Sequence, residues 1–126
     1  MNAHRLLYVE DNPVNTLVLQ ELLTKRPDIE LVCEEDAQRG LHRAKNWLPQ
    51  LVLLDMQLPD LDGFEVLKRL RADPSTADLP CIALSANAMP DDIDAALKAG
   101  FNDYWTKPIN FQAFYAGLEA HFPRAA

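Results

Sequence analysis

Five polar residues follow short apolar segments of the sequence, at positions where buried strands would end: Glu10, Asp11, Asp55, Ser85 and Lys107. If the three carboxylates meet, two of them at about 4 Å repel by about 4 kcal/mol at an effective dielectric constant of about 20. Such a cluster needs a cation. Its ligand atoms would all be oxygens, and one or two carboxylates with positions left open for water and phosphate favour Mg²⁺ over a fully enclosed Ca²⁺.

The other members of this set predict that the incoming ligand carries a phosphate group. Lys107 would act as a point charge for phosphoryl oxygens and Ser85 as a hydroxyl donor, while the metal holds another oxygen. Together these groups would stabilise a loose in-line transfer, with Asp55 as the nucleophile. A lone Asp after a strand is more often a helix cap or a turn residue, so the interpretation depends on the other residues converging on Asp55.

These residues converge only if the strands that they follow lie side by side. Short apolar runs alternate with longer segments of helical period, a pattern typical of βαβ units around a parallel sheet that is buried on both faces. Ligands of such sheets bind outside the carboxyl ends of the strands. The sequence predicts an α/β fold with strands over Arg5 to Val9, Ile29 to Cys33, Leu51 to Leu54, Cys81 to Leu84 and Asp103 to Thr106.

Five helices are expected between and after these strands. The first begins with Asn12 as N-cap and Pro13 at its first position, and it ends ahead of Pro27. Gly100 is placed for a left-handed cap after the fourth helix. The other four predicted spans are Ala37 to Trp47, Phe64 to Arg71, about Asp91 to Ala99 and about Phe111 to His121.

The first and last helices carry apolar residues that should face the sheet. In the first helix these are Leu17, Leu19, Leu22 and Leu23. In the last one they recur close to the helical period and predict its buried stripe: Phe111, Phe114, Tyr115, Leu118 and Phe122. Trp105, in the fifth strand, either fills the core or belongs to a partner surface.

Length, charge and cysteine content restrict the function further. A chain of 126 residues has room for one domain, residues 1–126, which can bury a core without disulfides. The net charge of −7 disfavours direct binding to nucleic acid or to a lipid surface. No apolar run approaches the ~20 residues of a membrane span. Cys33 and Cys81 match no metal-ligand spacing and are expected as buried thiols, which suits a reducing cytoplasm.

Six blocks of residues carry a resemblance to a known family: Val9-Glu10-Asp11-Asn12, Leu53-Leu54-Asp55-Met56-Gln57-Leu58-Pro59, Asp62-Gly63, Leu84-Ser85-Ala86-Asn87, Ala99-Gly100 and Tyr104-Trp105-Thr106-Lys107-Pro108-Ile109. In this order they resemble the receiver domains of response regulators in two-component signalling systems. The resemblance extends from about Arg5 to Phe122. It implies a flavodoxin-like (βα)5 three-layer sandwich with a parallel sheet of order 2-1-3-4-5.

The resemblance also implies a phosphorylation site and its metal. Asp55 is the residue that accepts the phosphoryl group, and it does so with Mg²⁺. Glu10 and Asp11 hold the metal directly or through water, and the backbone carbonyl of Gln57 is a further ligand. A domain of this family is not an independent enzyme, since it catalyses only its own phosphorylation and dephosphorylation.

Four further residues are assigned by the same resemblance. Ser85 and Lys107 contact the phosphoryl group. A cis peptide bond before Pro108 would aim Lys107 into the site. Tyr104 is the aromatic switch residue, which responds together with Ser85.

The partners implied are proteins that carry a phosphohistidine, namely a histidine kinase or a histidine phosphotransfer domain. The blocks Val9-Glu10-Asp11-Asn12 and Ser85-Ala86-Asn87-Ala88-Met89 are similar to those of receivers fused to hybrid histidine kinases. Phosphorylation would change the face formed by the fourth helix, the fifth strand and the fifth helix.

The charges expected on this output face predict how the signal leaves the domain. One basic residue, Lys98, stands there against several acidic ones: Asp91, Asp92, Asp94, Asp103 and Glu119. The face therefore does not resemble the dimer contact of DNA-binding regulators, in which positive and negative charges are densely mixed. We expect a monomer, or a weak phosphorylation-dependent dimer, that signals to a protein partner or relays phosphate through a histidine-bearing domain.

Two alternative functions share part of this pattern. A Mg²⁺-dependent phosphohydrolase with an aspartyl-phosphate intermediate also starts from an Asp at a strand end, but Gln57 stands where such enzymes usually have a second Asp. An FMN-binding flavodoxin-like protein would share the sheet, because a fold does not determine a function. Glu10 and Asp11, however, would repel a flavin phosphate.

Overall fold

Five parallel strands form the centre of the protein, whose computed structural model describes residues 4–87 and 89–123. The strands are β1 (His4–Val9), β2 (Ile29–Glu34), β3 (Leu51–Asp55), β4 (Cys81–Ser85) and β5 (Asp103–Thr106). Their order in the sheet is β2-β1-β3-β4-β5, which confirms the predicted topology. β3 and β4 extend one residue beyond their apolar runs, so Asp55 and Ser85 are the last residues of these strands.

Five helices connect and flank the strands: α1 (Pro13–Leu22), α2 (Ala37–Trp47), α3 (Gly63–Ala72), α4 (Pro90–Ala99) and α5 (Phe111–His121). α1 starts as predicted, since the side chain of Asn12 accepts a hydrogen bond from the backbone N of Val14 at 2.9 Å. A short 3₁₀ turn, Leu23–Lys25, follows α1. Gly100 ends α4 with a φ of 117°, a backbone conformation that favours glycine.

The core has two layers, one on each face of the sheet, because successive strand residues point to opposite faces. Leu6 and Tyr8 of β1 belong to the layer that α1 and α5 cover. Leu7 and Val9 belong to the layer that α2, α3 and α4 cover. Within the described part of the chain, no helix is long and apolar enough to cross a membrane.

The predicted apolar stripe of α1 is wrong at one position. Leu19, Leu22 and Leu23 are buried, but Leu17 is 60% exposed. Leu17 and Leu19 are two residues apart, so a helical rotation of about 200° separates their side chains and both cannot face the sheet.

The predicted stripe of α5 is wrong at its first position. Phe114, Leu118 and Phe122 are buried, and Tyr115 is half-buried. Phe111 is 57% exposed. It is the first residue of α5 and lines a groove with α1 residues instead of covering the sheet.

The two cysteines differ in burial. Cys81 is buried as predicted, whereas Cys33 is only partly buried, and both are free thiols. The difference follows from the sheet order, because β2 is an edge strand and β4 lies between two others. A residue of an edge strand is covered on fewer sides.

Trp105 packs on the core. Its ring meets Phe114 edge to face, with 6.0 Å between ring centroids, and its indole N–H donates to Asp103 Oδ2 at 3.1 Å. Gly117 of α5 makes room for this ring, since a Cβ at that position would overlap Trp105 Cζ2 and lie 2.7 Å from Cη2. Of the two interpretations of Trp105, the packing favours the core.

The contact predicts that Gly117→Ala has opposite effects in two backgrounds. In the wild type it should lower the free energy of unfolding by about 1 to 3 kcal/mol, because the new methyl group overpacks against the indole. In a Trp105→Ala background it should raise that free energy by up to about 1 kcal/mol, the ordinary helix preference for Ala. Urea denaturation followed by circular dichroism measures both. The same sign in both backgrounds would contradict the contact.

Candidate functional site

The carboxyl ends of β1, β3, β4 and β5 meet at one edge of the sheet and carry the predicted site residues. The strand order reverses at β1, which lies between β2 and β3, so this edge is the expected ligand-binding crevice. The register aligns Val9 with Leu54. The next residues, Glu10 and Asp55, are therefore neighbours.

The structure brings the three predicted carboxylates together. Glu10, Asp11 and Asp55 each offer an oxygen, and these atoms lie within 4.8 Å of one another. Glu10 and Asp55 are only 2% and 4% exposed, whereas Asp11 is exposed to solvent. Two buried carboxylates at this spacing repel. Their carboxylate oxygens, as metal ligands, and the solvent-exposed Asp11 fit a hard divalent cation that keeps part of its water shell.

The structure places the ammonium group of Lys107 at this cluster. Its Nζ lies 2.7 Å from Glu10 Oε1 and 3.2 Å from Asp55 Oδ1. The Lys107–Pro108 peptide bond is cis, as the resemblance implied. The backbone N of Lys107 donates to Ser85 O at 2.8 Å, so β4 and β5 position the lysine together.

Four groups among the described residues donate hydrogen bonds to Glu10. Lys107 Nζ, the Tyr8 hydroxyl and Asn15 Nδ2 donate to Oε1, the latter two at 3.0 and 3.1 Å. The backbone N of Asn12 donates to Oε2 at 3.1 Å. These donors define the orientation of a carboxylate that has almost no contact with solvent.

The pKa values of the two buried carboxyls move in opposite directions. Burial raises the pKa of Asp55, and the nearby charge of Glu10 raises it further. Burial also opposes the charged form of Glu10, but hydrogen bonds, chiefly from Lys107, outweigh it and lower the pKa of Glu10. Of the two, Asp55 takes up a proton first. Burial and the charge of Glu10 raise the pKa of Tyr8, so its phenol remains a donor.

Gln57 lies in the loop between β3 and α3. Its backbone N donates to Asp55 Oδ1 at 3.1 Å, and its side chain is exposed. Asp60 anchors this loop to the start of α2, where its two carboxylate oxygens accept from the backbone N of Ala37 at 2.8 Å and of Gln38 at 3.0 Å.

Ser85 and Tyr104 both contact Asn87, in the loop after β4. Ser85 is 9% exposed, and its Oγ accepts from the backbone N of Asn87 at 3.1 Å. The Tyr104 hydroxyl donates to Asn87 O at 2.6 Å. The two predicted switch residues are thus linked through one loop residue.

Sequence reasoning missed Tyr8, Asn15 and Asp60. Tyr8 could have been found, because it lies on β1 and precedes Glu10 by two residues, a spacing that places two side chains of an extended chain on the same face. Asn15 lies in the first turn of α1, close to the site in sequence. Asp60 has no comparable signal, since its partners are more than 20 residues away.

Comparison with known proteins agrees with this geometry. The sequence model of the family described as "Response regulator receiver domain" matches residues 6–119. The chain belongs to this family. It is a receiver, a phosphorylation-dependent signalling switch.

Solved receiver structures have the same fold. The receiver of the sensor histidine kinase PA1611 from Pseudomonas aeruginosa, with magnesium coordinated in its active-site cleft, is 32% identical, with a TM-score of 0.84 over 94% of this chain and 97% of that one. The Saccharomyces cerevisiae Ssk1 receiver, crystallised with the histidine phosphotransfer protein Ypd1, is 30% identical, with a TM-score of 0.83 over 95% and 89%. Phosphorylated cyanobacterial RcpA is 29% identical, with a TM-score of 0.83 over 98% and 97%.

Several curated relatives are much longer than this chain. The receiver spans 12% and 13% of two sensor histidine kinases that are 33% and 34% identical to it. It spans 48% of a DNA-binding transcriptional regulator that is 34% identical. These relatives therefore contain further sequence beside their receiver region.

The raised pKa of Asp55 predicts a pH dependence of stability in chelator. A carboxyl whose pKa is higher in the folded chain than its unfolded value of about 4 stabilises the fold at low pH, and this contribution is lost as the pH rises through the folded value. The free energy of unfolding should therefore fall more steeply in the wild type than in Asp55→Asn between about pH 4 and pH 7. Urea denaturation across this range measures it. Equal slopes would show that Asp55 does not hold the proton.

Proposed function

We propose that Asp55 accepts a phosphoryl group from a phosphohistidine, with Mg²⁺ held by Glu10, Asp11, Asp55 and the backbone carbonyl of Gln57. The observation that carries this proposal is the cluster of three carboxylate oxygens within 4.8 Å, with Lys107 bound to two of the carboxylates. The magnesium in the cleft of the PA1611 receiver supports the choice of metal.

Each site residue has a part in this transfer. A carboxylate oxygen of Asp55 attacks phosphorus, the phosphorus–nitrogen bond of the donor breaks, and the imidazole nitrogen leaves with the electron pair. The backbone N of Gln57, 3.1 Å from Asp55 Oδ1, orients the nucleophile. Lys107 and the Ser85 hydroxyl bind phosphoryl oxygens. When bound by these residues, Mg²⁺ would supply positive charge that offsets the charge of the carboxylates and of the phosphoryl group.

In this scheme the receiver takes a phosphoryl group from a donor onto its own Asp55 and does not turn over phosphomonoesters. Gln57 is an exposed amide at the position where an aspartyl-phosphate phosphohydrolase usually has a second Asp, so the site offers no acid there for turnover. The acidic cluster of Glu10 and Asp11 likewise disfavours FMN. We therefore infer that the domain catalyses only its own phosphorylation and dephosphorylation.

Acetyl phosphate with Mg²⁺ should add one phosphoryl group to the wild type. Asp55→Asn should abolish the addition, because the amide is not a nucleophile for this reaction, and excess chelator should suppress it in the wild type. Intact-mass spectrometry measures both. Asp92→Asn, a matched change on the exposed start of α4, should behave as the wild type. Addition that persists in Asp55→Asn or is unchanged by chelator would contradict the proposal.

An exposed apolar patch beside the site suits a phosphohistidine-bearing partner. Val14, Leu17 and Phe111 are 63%, 60% and 57% exposed and line a groove between α1 and α5. α1 begins two residues after Asp11, and α5 begins four residues after Lys107. Exposed apolar patches of this kind mark interaction surfaces. The co-crystal structure of the Ssk1 receiver with Ypd1 supports this class of partner.

Leu17→Glu should affect phosphoryl transfer from a protein donor but not from a small-molecule donor. Transfer from a phosphorylated histidine phosphotransfer protein should slow by about tenfold or more, since the change places a charge in the centre of an apolar contact. Labelling by acetyl phosphate should be unchanged. Leu97→Glu, at a 45% exposed leucine of α4, is the control for surface charge. Equal transfer rates in both variants would exclude the α1/α5 patch.

The signal is expected to leave through α4, β5 and α5. If Ser85 moves toward the phosphoryl group, Asn87 moves with it, because the two are hydrogen-bonded. Tyr104, which donates to Asn87 O, then loses or changes its partner. A packed interior converts such a shift into discrete arrangements of the neighbouring face. The exposed Asp91 and Asp92 on α4 favour a protein partner over DNA.

Sedimentation velocity with and without beryllofluoride, a phosphoryl mimic, measures the oligomeric state and so tests the output proposal. The unmodified receiver should be a monomer, and the beryllofluoride form a monomer or a weak dimer. The acidic face cannot supply the mixed charge pairs of a tight dimer. A tight dimer without beryllofluoride, or specific DNA binding by this chain alone, would contradict the output proposal.

A further inference from the structure

Tyr8 places a phenol hydroxyl against the carboxylate cluster, and the transfer described above gives it no part. Its side chain is fully buried between β1 and the helices α1 and α5. The hydroxyl donates to Glu10 Oε1 at 3.0 Å, in a buried environment. Within residues 4–87 and 89–123 this is the hydrogen bond that satisfies the phenol, and a buried hydroxyl without one is unfavourable.

The groups that donate hydrogen bonds to Glu10 Oε1 differ in how freely they can move. Lys107 Nζ is shared with Asp55 Oδ1, 3.2 Å away. Under the proposed function Lys107 turns to the phosphoryl oxygens, and Glu10 then loses its strongest donor. The Tyr8 hydroxyl cannot follow, because a close-packed ring with two side-chain torsions fixes its position. It is neutral, so it orients the carboxylate without competing for the place of a cation.

We propose that Tyr8 is a positioning residue of the metal site. Its hydroxyl holds the Glu10 carboxylate in the orientation that serves Mg²⁺ and keeps it there when Lys107 turns to the phosphoryl group. The inference rests on the proposed function, which assigns Glu10 to the metal. Hydrogen-bond partners of ligating carboxylates act in this way, and their loss weakens metal binding by about 10- to 100-fold.

The test is the Mg²⁺ affinity of Tyr8→Phe, measured by calorimetric titration of chelator-treated protein. The affinity should fall at least about tenfold. Tyr115→Phe is the matched control, since it removes a hydroxyl that donates to Leu22 O at 2.7 Å from a ring packed against the same core layer. It should leave the affinity unchanged. Circular dichroism and urea denaturation establish that both variants are folded at the titration temperature.

A double-mutant cycle separates the action through Glu10 from general packing. Glu10→Asp withdraws the carboxylate by one methylene from the Tyr8 hydroxyl, so Tyr8→Phe should have little further effect in that background. A wild-type affinity in Tyr8→Phe, an equal loss in Tyr115→Phe, or an undiminished loss in the Glu10→Asp background would each overturn the inference. Absence of Mg²⁺ binding by the wild type would instead refute the proposed function, and this inference with it.

Discussion

Repulsion between buried carboxylates is the constraint on which the rest of this structure depends. Glu10 and Asp55 are almost fully buried, and their oxygens lie with one of Asp11 within 4.8 Å. Lys107 balances part of this charge, yet it follows β5, which β3 and β4 separate from β1 in the sheet. The balance therefore exists only when β1, β3, β4 and β5 are assembled. Fold and site are stabilised by the same set of contacts.

Neutral hydrogen-bond donors add to the stabilisation that Lys107 gives to the buried carboxylate of Glu10. A buried carboxylate needs its lone pairs satisfied, and Glu10 obtains this from Tyr8, Asn15 and the backbone of Asn12 as well as from Lys107. Asp55 has fewer such donors, chiefly the backbone N of Gln57, and its pKa is raised. Of the two carboxylates, Asp55 therefore has the less stabilised charge. A bound cation or a phosphoryl group would change the electrostatic environment of Asp55 more than that of Glu10.

The surfaces around the site divide into an apolar and an acidic region. The patch between α1 and α5, with Leu17 and Phe111, is apolar and adjoins the two loops that carry Glu10, Asp11 and Lys107. The exposed start of α4, with Asp91 and Asp92, is acidic and follows the loop that Ser85 and Tyr104 share. We propose that input and output use different partners, because one surface depends on apolar burial and the other on charge.

The sequence by itself determined the strand order and the edge of the sheet at which Glu10, Asp55 and Lys107 meet. The edge follows from local signals, namely the alternation of apolar runs with helical periods and a polar residue at the end of four of the five runs. The strand order follows from the motifs that resemble one family. Tertiary structure decided which apolar residues the helices bury, since Phe111 fits the helical pattern of α5 and still faces solvent. It also decided the donors around each carboxylate. The physical reason is that burial and hydrogen bonding depend on distances between elements far apart in the chain, which no local pattern contains.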